Sequence, residues 1–185
     1  MSAPPALLFV HGGADEAYRY DKQIVDRLQT ALGPEIPIAF PLIRGLEVLD
    51  WPAVATELGD ALRALPRGAI VVAHSVGAAA VFKLLSEGQD PKLAHLFLLA
   101  APYNGADGEW GDSDFAFSAD FAGRLPKGLP ITLWHSKDDE IVPVSSAARY
   151  RRKLSHGQVI LLEGQGHQFE GDLTFLADAI QGATK

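Results

Sequence analysis

One serine stands where its hydroxyl could act on a substrate. In Ala73-His74-Ser75-Val76-Gly77, Ser75 follows the apolar Ala69-Ile70-Val71-Val72 and precedes the helix-forming Ala78-Ala79-Ala80-Val81-Phe82. A sharp strand-to-helix turn at this point lifts a hydroxyl above a sheet edge, and small residues two positions away on each side let the two elements approach closely. The first helical turn adds free N–H groups and a partial positive charge where an oxyanion would form. The same serine could instead be an N-cap residue, a role serine fills well. A hydroxyl is a poor nucleophile at neutral pH, so nucleophilic chemistry needs a base and a group that orients the base. His135-Ser136-Lys137-Asp138-Asp139-Glu140-Ile141-Val142-Pro143 sets carboxylates just past an apolar run, and Gly164-Gln165-Gly166-His167-Gln168-Phe169 sets a glycine-flanked histidine past another. Taken singly, such acids cap or solvate loops and such histidines lie on the surface. Serine, acid and histidine in this order, each beyond a different strand, form a far rarer conjunction.

These residues need elements to position them. Apolar runs without alternation recur at 6–10, 36–40, 69–73, 93–100, 131–134 and 158–162, the pattern of strands buried on both faces. Between them lie helical stripes: Ile24, Val25, Leu28, Ala31 and Leu32, closed by Gly33-Pro34; and Val54, Leu58, Ala61, Leu62 and Leu65, opened by Asp50 with Pro52 in the first turn. Further helices are predicted over 75–85, 145–154 and 172–180. The alternation predicts a three-layer α/β/α sandwich around a six-stranded, mostly parallel sheet, with residues 1–185 forming a single domain. His11-Gly12-Gly13, after the first strand, offers free backbone on the other side of the switch-point crevice if the first and third strands are neighbours. Residues 102–128 break the rhythm, with weak periodicity, many glycines and several aromatics, and are expected to be a short lid-like insertion.

Composition narrows the alternatives. In 185 residues, 48% are apolar and 21% charged, and the net charge is -7, so nucleic acid or anionic membrane could be attracted only by a local basic patch. The one basic cluster, Arg149, Arg151, Arg152 and Lys153, reads as the solvated face of a helix. With no cysteine, thiolate catalysis, disulfides and sulfur-based zinc sites are excluded, and a reducing compartment is suited. The six histidines show no metal-ligand spacing, and no phosphate-binding glycine loop is present, so neither metal nor nucleotide cofactor is expected. Met1–Pro5 carry no basic side chain and the apolar run 6–10 is short for a signal core, so the expectation is a cytoplasmic protein.

His11-Gly12-Gly13, Ala73-His74-Ser75-Val76-Gly77, Asp139-Glu140-Ile141-Val142-Pro143 and Gly166-His167 together resemble the four signatures of the α/β-hydrolase fold. The small size and the nucleophile near position 75 are similar to the compact retinoblastoma-binding-protein-type (YdeN-like) serine hydrolases. The resemblance implies a minimal fold without a large cap domain, a Ser-His-Asp triad and no cofactor. It also selects between the two aspartates, since the family's orienting acid precedes a Val-Pro step, which favours Asp139 over Asp138. The motif's first glycine is here Ala73. The implied catalytic set is Ser75, Asp139 and His167, with the amides of Gly13 and Val76 as the oxyanion hole. His11, Tyr103, Trp110, Phe115 and Phe169 are candidate pocket residues, and the acids at 107, 109, 112, 114 and 120 either favour a cationic substrate or solvate a loop. The expected activity is cleavage of small carboxylic esters, or of amides or thioesters. The alternative is a binding module that keeps the fold with little chemistry.

Overall fold

The computed structural model describes residues 6–108, 110–111 and 113–184; two of the five loop acids, Glu109 and Asp112, lie outside the described residues. The elements follow in the order β1 (Leu7–Val10), α1 (Ala17–Leu32), β2 (Ile38–Ala39), α2 (Trp51–Arg63), β3 (Ile70–His74), α3 (Ser75–Ser86), β4 (His95–Leu99), α4 (Phe121–Arg124), β5 (Ile131–Ser136), α5 (Ser145–Lys153), β6 (Gln158–Leu162) and α6 (Thr174–Ala183). The sheet has the order β2-β1-β3-β4-β5-β6 and every pairing is parallel. The runs lack alternation because both faces of the sheet are covered. Leu8, Val10, Val71, Ala73, Leu96, Leu98 and Leu133 pack against α2, α3 and α5. Their strand neighbours Leu7, Phe9, Ile70, Val72, Phe97, Leu99 and Trp134 pack against α1 and α6 on the other face.

At β2 and α6 the observed elements differ from expectation, and local hydrogen bonds explain both. β2 keeps only two of five predicted residues, because the Gln29 side chain donates to the carbonyls of Gly33 and Ile36 and accepts from Ile38 N–H, taking over part of the ladder. α6 starts at Thr174 rather than 172, since Asp172 accepts from both the backbone and the hydroxyl of Thr174.

Segment 102–128 is pinned down by its own aromatics. Tyr103, Phe117 and Phe121 are buried with Phe82 of α3 and Tyr150 of α5, and the Tyr150 hydroxyl donates to Pro102 O at 2.7 Å. The basic cluster of α5 is only partly the solvated face expected. Arg149 donates to Asp107 O at 3.0 Å over the Tyr103 ring, and Lys153 lies 3.3 Å from Asp107 Oδ2, so two of its four cations clamp the insertion.

β1 and β3 are neighbours, with β2 outside one and β4 outside the other, so the strand order reverses between them. The loops carrying Gly12-Gly13 and Ser75 leave the carboxyl ends of these two strands and meet at that switch point. Gly77 makes the meeting possible: a Cβ there would stand 2.1 Å from His11 O. Gly77→Ala is therefore expected to cost at least about 1–3 kcal/mol through overpacking against backbone, and to lower activity by displacing the 11–13 loop. Urea denaturation and an ester assay on the same preparation check both effects.

Candidate active site

Ser75 has φ 51°, in the left-handed region that a residue with a Cβ seldom adopts. This is the backbone form of a nucleophile elbow: the chain leaves β3, turns through Ser75 and enters α3 at once, with the side chain lifted out of the sheet edge. Ser75 is 7% exposed and its Oγ lies 3.1 Å from His167 Nε2. His167 Nδ1 lies 2.9 Å from Asp139 Oδ2 and 3.1 Å from Oδ1. Asp139 Oδ1 also accepts the N–H groups of Ile141 and Val142 at 2.9 and 2.8 Å. Burial pushes this carboxyl up, but the hydrogen bonds from His167 and Val142 outweigh it and hold it below the usual carboxylate range.

Asp138, one residue earlier, faces elsewhere. Its carboxylate accepts from the Ser136 hydroxyl and, at 3.1 Å, from Gly164 N–H. The Ser136 hydroxyl oxygen in turn accepts from Gln165 N–H at 3.1 Å. This small network ties the end of β5 to the loop after β6. Gly164 and Gly166, with φ of 70° and 59°, let that loop bend back toward Ser75.

Across the crevice, Gly12 N–H is committed to Asp21 Oδ2 at 2.7 Å, whereas Gly13 N–H has no acceptor among the described residues. Val76 N–H sits in the first turn of α3, where no intrahelical acceptor exists. A Cβ on Gly13 would lie 3.0 Å from Val76 Cβ, and one on Gly12 would lie 3.2 Å from Ser75 Cβ, so these backbones crowd around the hydroxyl.

Most of the candidate pocket residues are placed in packing roles. His11 is 2% exposed; its Nε2 accepts Ile43 N–H at 3.0 Å and its ring packs edge-on against Tyr18 and Phe40, so it pins the 41–46 loop. Burial holds its pKa below the ordinary imidazole value, in keeping with an acceptor nitrogen. Tyr103 and Phe115, each 3% exposed, belong to the core under the insertion, and Phe169 is buried against His74. Burial and the hydrogen bond to Asp107 push the Tyr103 hydroxyl up to about 12, so it is a fixed donor at neutral pH. Only Trp110 of the five is partly exposed. Two of the three described loop acids serve the protein's own cations: Asp107 meets Lys153, and Asp120 accepts from Arg124. Asp114 is exposed.

Three residues beside the site were not singled out from the sequence. Leu49, at φ 56° and 47% exposed, has a methyl 2.8 Å from where a Gly13 Cβ would be. Its loop carries no periodicity that would have marked it. Asp21 and His74 form a fully buried pair behind Ser75. The signal for Asp21 was present: it falls on the buried stripe of α1 with Ile24, Val25, Leu28 and Leu32, where an unpaired carboxylate would be costly.

A doubly covered parallel sheet with a serine elbow at its switch point defines the α/β-hydrolase class, and solved structures agree. The ydeN gene product of B. subtilis superposes with a TM-score of 0.73 at 16% identity, over 97% of this chain and 98% of that one. Est1E from Butyrivibrio proteoclasticus gives 0.68 at 14% identity, over 98% and 87%. The esterase domain of a Rhodothermus marinus protein gives 0.66 at 20%, over 98% and 86%. No curated protein matches the sequence. The serine hydrolase family model matches residues 48–171, two thirds of the chain, and the chain belongs to that family.

Proposed function

We propose that the protein cleaves small carboxylic esters through an acyl-enzyme on Ser75. His167 Nε2 takes the Ser75 proton as Oγ attacks the carbonyl carbon, and Asp139 holds His167 in the tautomer with hydrogen on Nδ1 and stabilises the imidazolium. The amides of Gly13 and Val76 receive the developing oxyanion, a contribution worth about 3–4 kcal/mol per donor in comparable sites. His167 then returns the proton to the departing alcohol, the C–O bond breaks, and a water deprotonated by His167 releases the acid. The observation that carries this reading is the unbroken chain from Ser75 Oγ through His167 to Asp139, at 3.1 and 2.9 Å.

Amides and thioesters fit the same chemistry. The exposed apolar Leu49 beside Gly13, with exposed Ile141 and Val144 just after the acid, supports an uncharged acyl group. Two of the three described loop acids, Asp107 and Asp120, pair with Lys153 and Arg124, which weakens the argument for a cationic substrate. No described helix is long and apolar enough to cross a membrane, and with no cysteine in the chain we place the protein, read as one hydrolase domain, in the cytoplasm. The alternative of a binding module is disfavoured, since such a module has no use for three aligned side chains.

Active-site labelling tests the reading. A fluorophosphonate probe should attach to Ser75, with peptide mapping locating the adduct, and should abolish turnover of p-nitrophenyl acetate in proportion to labelling. Full turnover by fully labelled protein, or a label on another serine, overturns it.

A further inference from the structure

The stripe that α1 buries contains one residue an apolar stripe should reject. Asp21 is 0% exposed, and its partner His74, the residue before Ser75, is 1% exposed. Asp21 Oδ2 accepts Gly12 N–H at 2.7 Å and lies 3.0 Å from His74 Nδ1. On the far side of the ring, His74 Nε2 donates to the backbone carbonyl of His167 at 2.9 Å. A carbonyl oxygen can only accept, so Nε2 carries a hydrogen. Nδ1 faces a carboxylate, so a second proton lies between ring and carboxylate, whichever of them holds it. Burial alone would lower the His74 pKa, but Asp21 outweighs it and raises it.

We propose that Asp21 and His74 are a positioning pair for the hydrolytic reaction, tying the loop that presents Gly13 N–H to the backbone of His167 across the switch point. The inference rests on the reading of Ser75 as nucleophile and His167 as base. Both tethered segments need fixing. Gly12-Gly13 has no side chains of its own; its first N–H is held by Asp21, and the Gly12 carbonyl by His11 Nδ1 at 2.7 Å. The His167 loop turns on two glycines in the left-handed region, and the carbonyl that His74 grips belongs to the base itself. A buried ion pair of this kind is seldom a source of stability, because apolar residues of similar volume commonly replace it without loss. Its effect is therefore expected in turnover, where displacement of a reacting group by about 1 Å costs on the order of 100-fold.

The test uses Asp21→Asn, His74→Phe and the double variant Asp21→Leu/His74→Phe. Asp21→Asn keeps an oxygen to accept from Gly12 N–H but removes the carboxylate charge that both Asp21 oxygens, 2.9 and 3.0 Å from His74 Nδ1, set against the ring, so the His74 tether is weakened. All three should lose about 10- to 100-fold in kcat for p-nitrophenyl acetate, with KM within about twofold of the parent. Fluorophosphonate labelling of Ser75 should slow by the same ratio. The losses should not add, because the pair acts as a unit. Single variants leave a buried charged partner unpaired and can unfold; the double variant removes both partners together, leaving only the Gly12 N–H and the His167 carbonyl without their side-chain contacts, and it decides. A folded double variant with kcat within twofold of the parent overturns the proposal, as does a raised KM at unchanged kcat. If the parent itself takes no label on Ser75, the reading of the site fails, an outcome distinct from labelled parent and unimpaired variants.

Discussion

Ser75→Ala is expected to lower kcat for p-nitrophenyl acetate by on the order of 10⁴- to 10⁶-fold while leaving the fold intact. In the proposed mechanism the substitution removes the atom that forms the acyl bond, and neither His167 nor water would replace it at the same position. The proposed oxyanion hole of Gly13 and Val76 amides would remain, so residual hydrolysis above the uncatalysed rate is expected. The fold should tolerate the change because Ser75 Oγ makes a single hydrogen bond, to His167, and alanine meets the same left-handed backbone with the same Cβ. Circular dichroism and thermal unfolding establish matched stability; steady-state kinetics on tag-purified protein then read the loss. Activity within tenfold of the parent would mean that the hydrolysis does not pass through Ser75.

Asp139→Asn should cost on the order of 10³- to 10⁴-fold in kcat, and Asp138→Asn less than about threefold, a contrast between adjacent residues of one type. The reason lies in who donates to whom. Asp139 Oδ1 accepts from Ile141 and Val142 N–H, so an asparagine keeps its oxygen there and turns its NH₂ toward His167 Nδ1. That donor selects the tautomer with hydrogen on Nε2, which faces Ser75 Oγ and can no longer take its proton. Asp138 accepts from Ser136 and Gly164, and an asparagine oxygen can accept both. Kinetics of the two variants at equal melting temperature check the ranking; the reverse order would pass the orienting role to Asp138.

The layers were legible in the sequence, and so were the candidates for the chemistry, Ser75, Asp139 and His167. Unalternating apolar runs specify strands covered on both faces, and the striped segments between them specify the covers, because burial on two sides leaves no polar position to alternate. The serine elbow, the acid and the glycine-flanked histidine were legible because their chemistry demands particular residue types at strand ends. Local pattern could not say where a side chain points once the chain folds back. Tertiary structure alone turned Asp139 toward His167 and Asp138 toward Gly164, set Tyr103 and Phe115 under the insertion instead of in a pocket, and gave Arg149 and Lys153 the Asp107 segment to hold. It also joined Asp21 to His74, which are 53 positions apart. Their pairing is a long-range contact between one face of α1 and the end of β3, and the physical demand behind it is that a buried carboxylate must find a proton donor wherever the fold brings one.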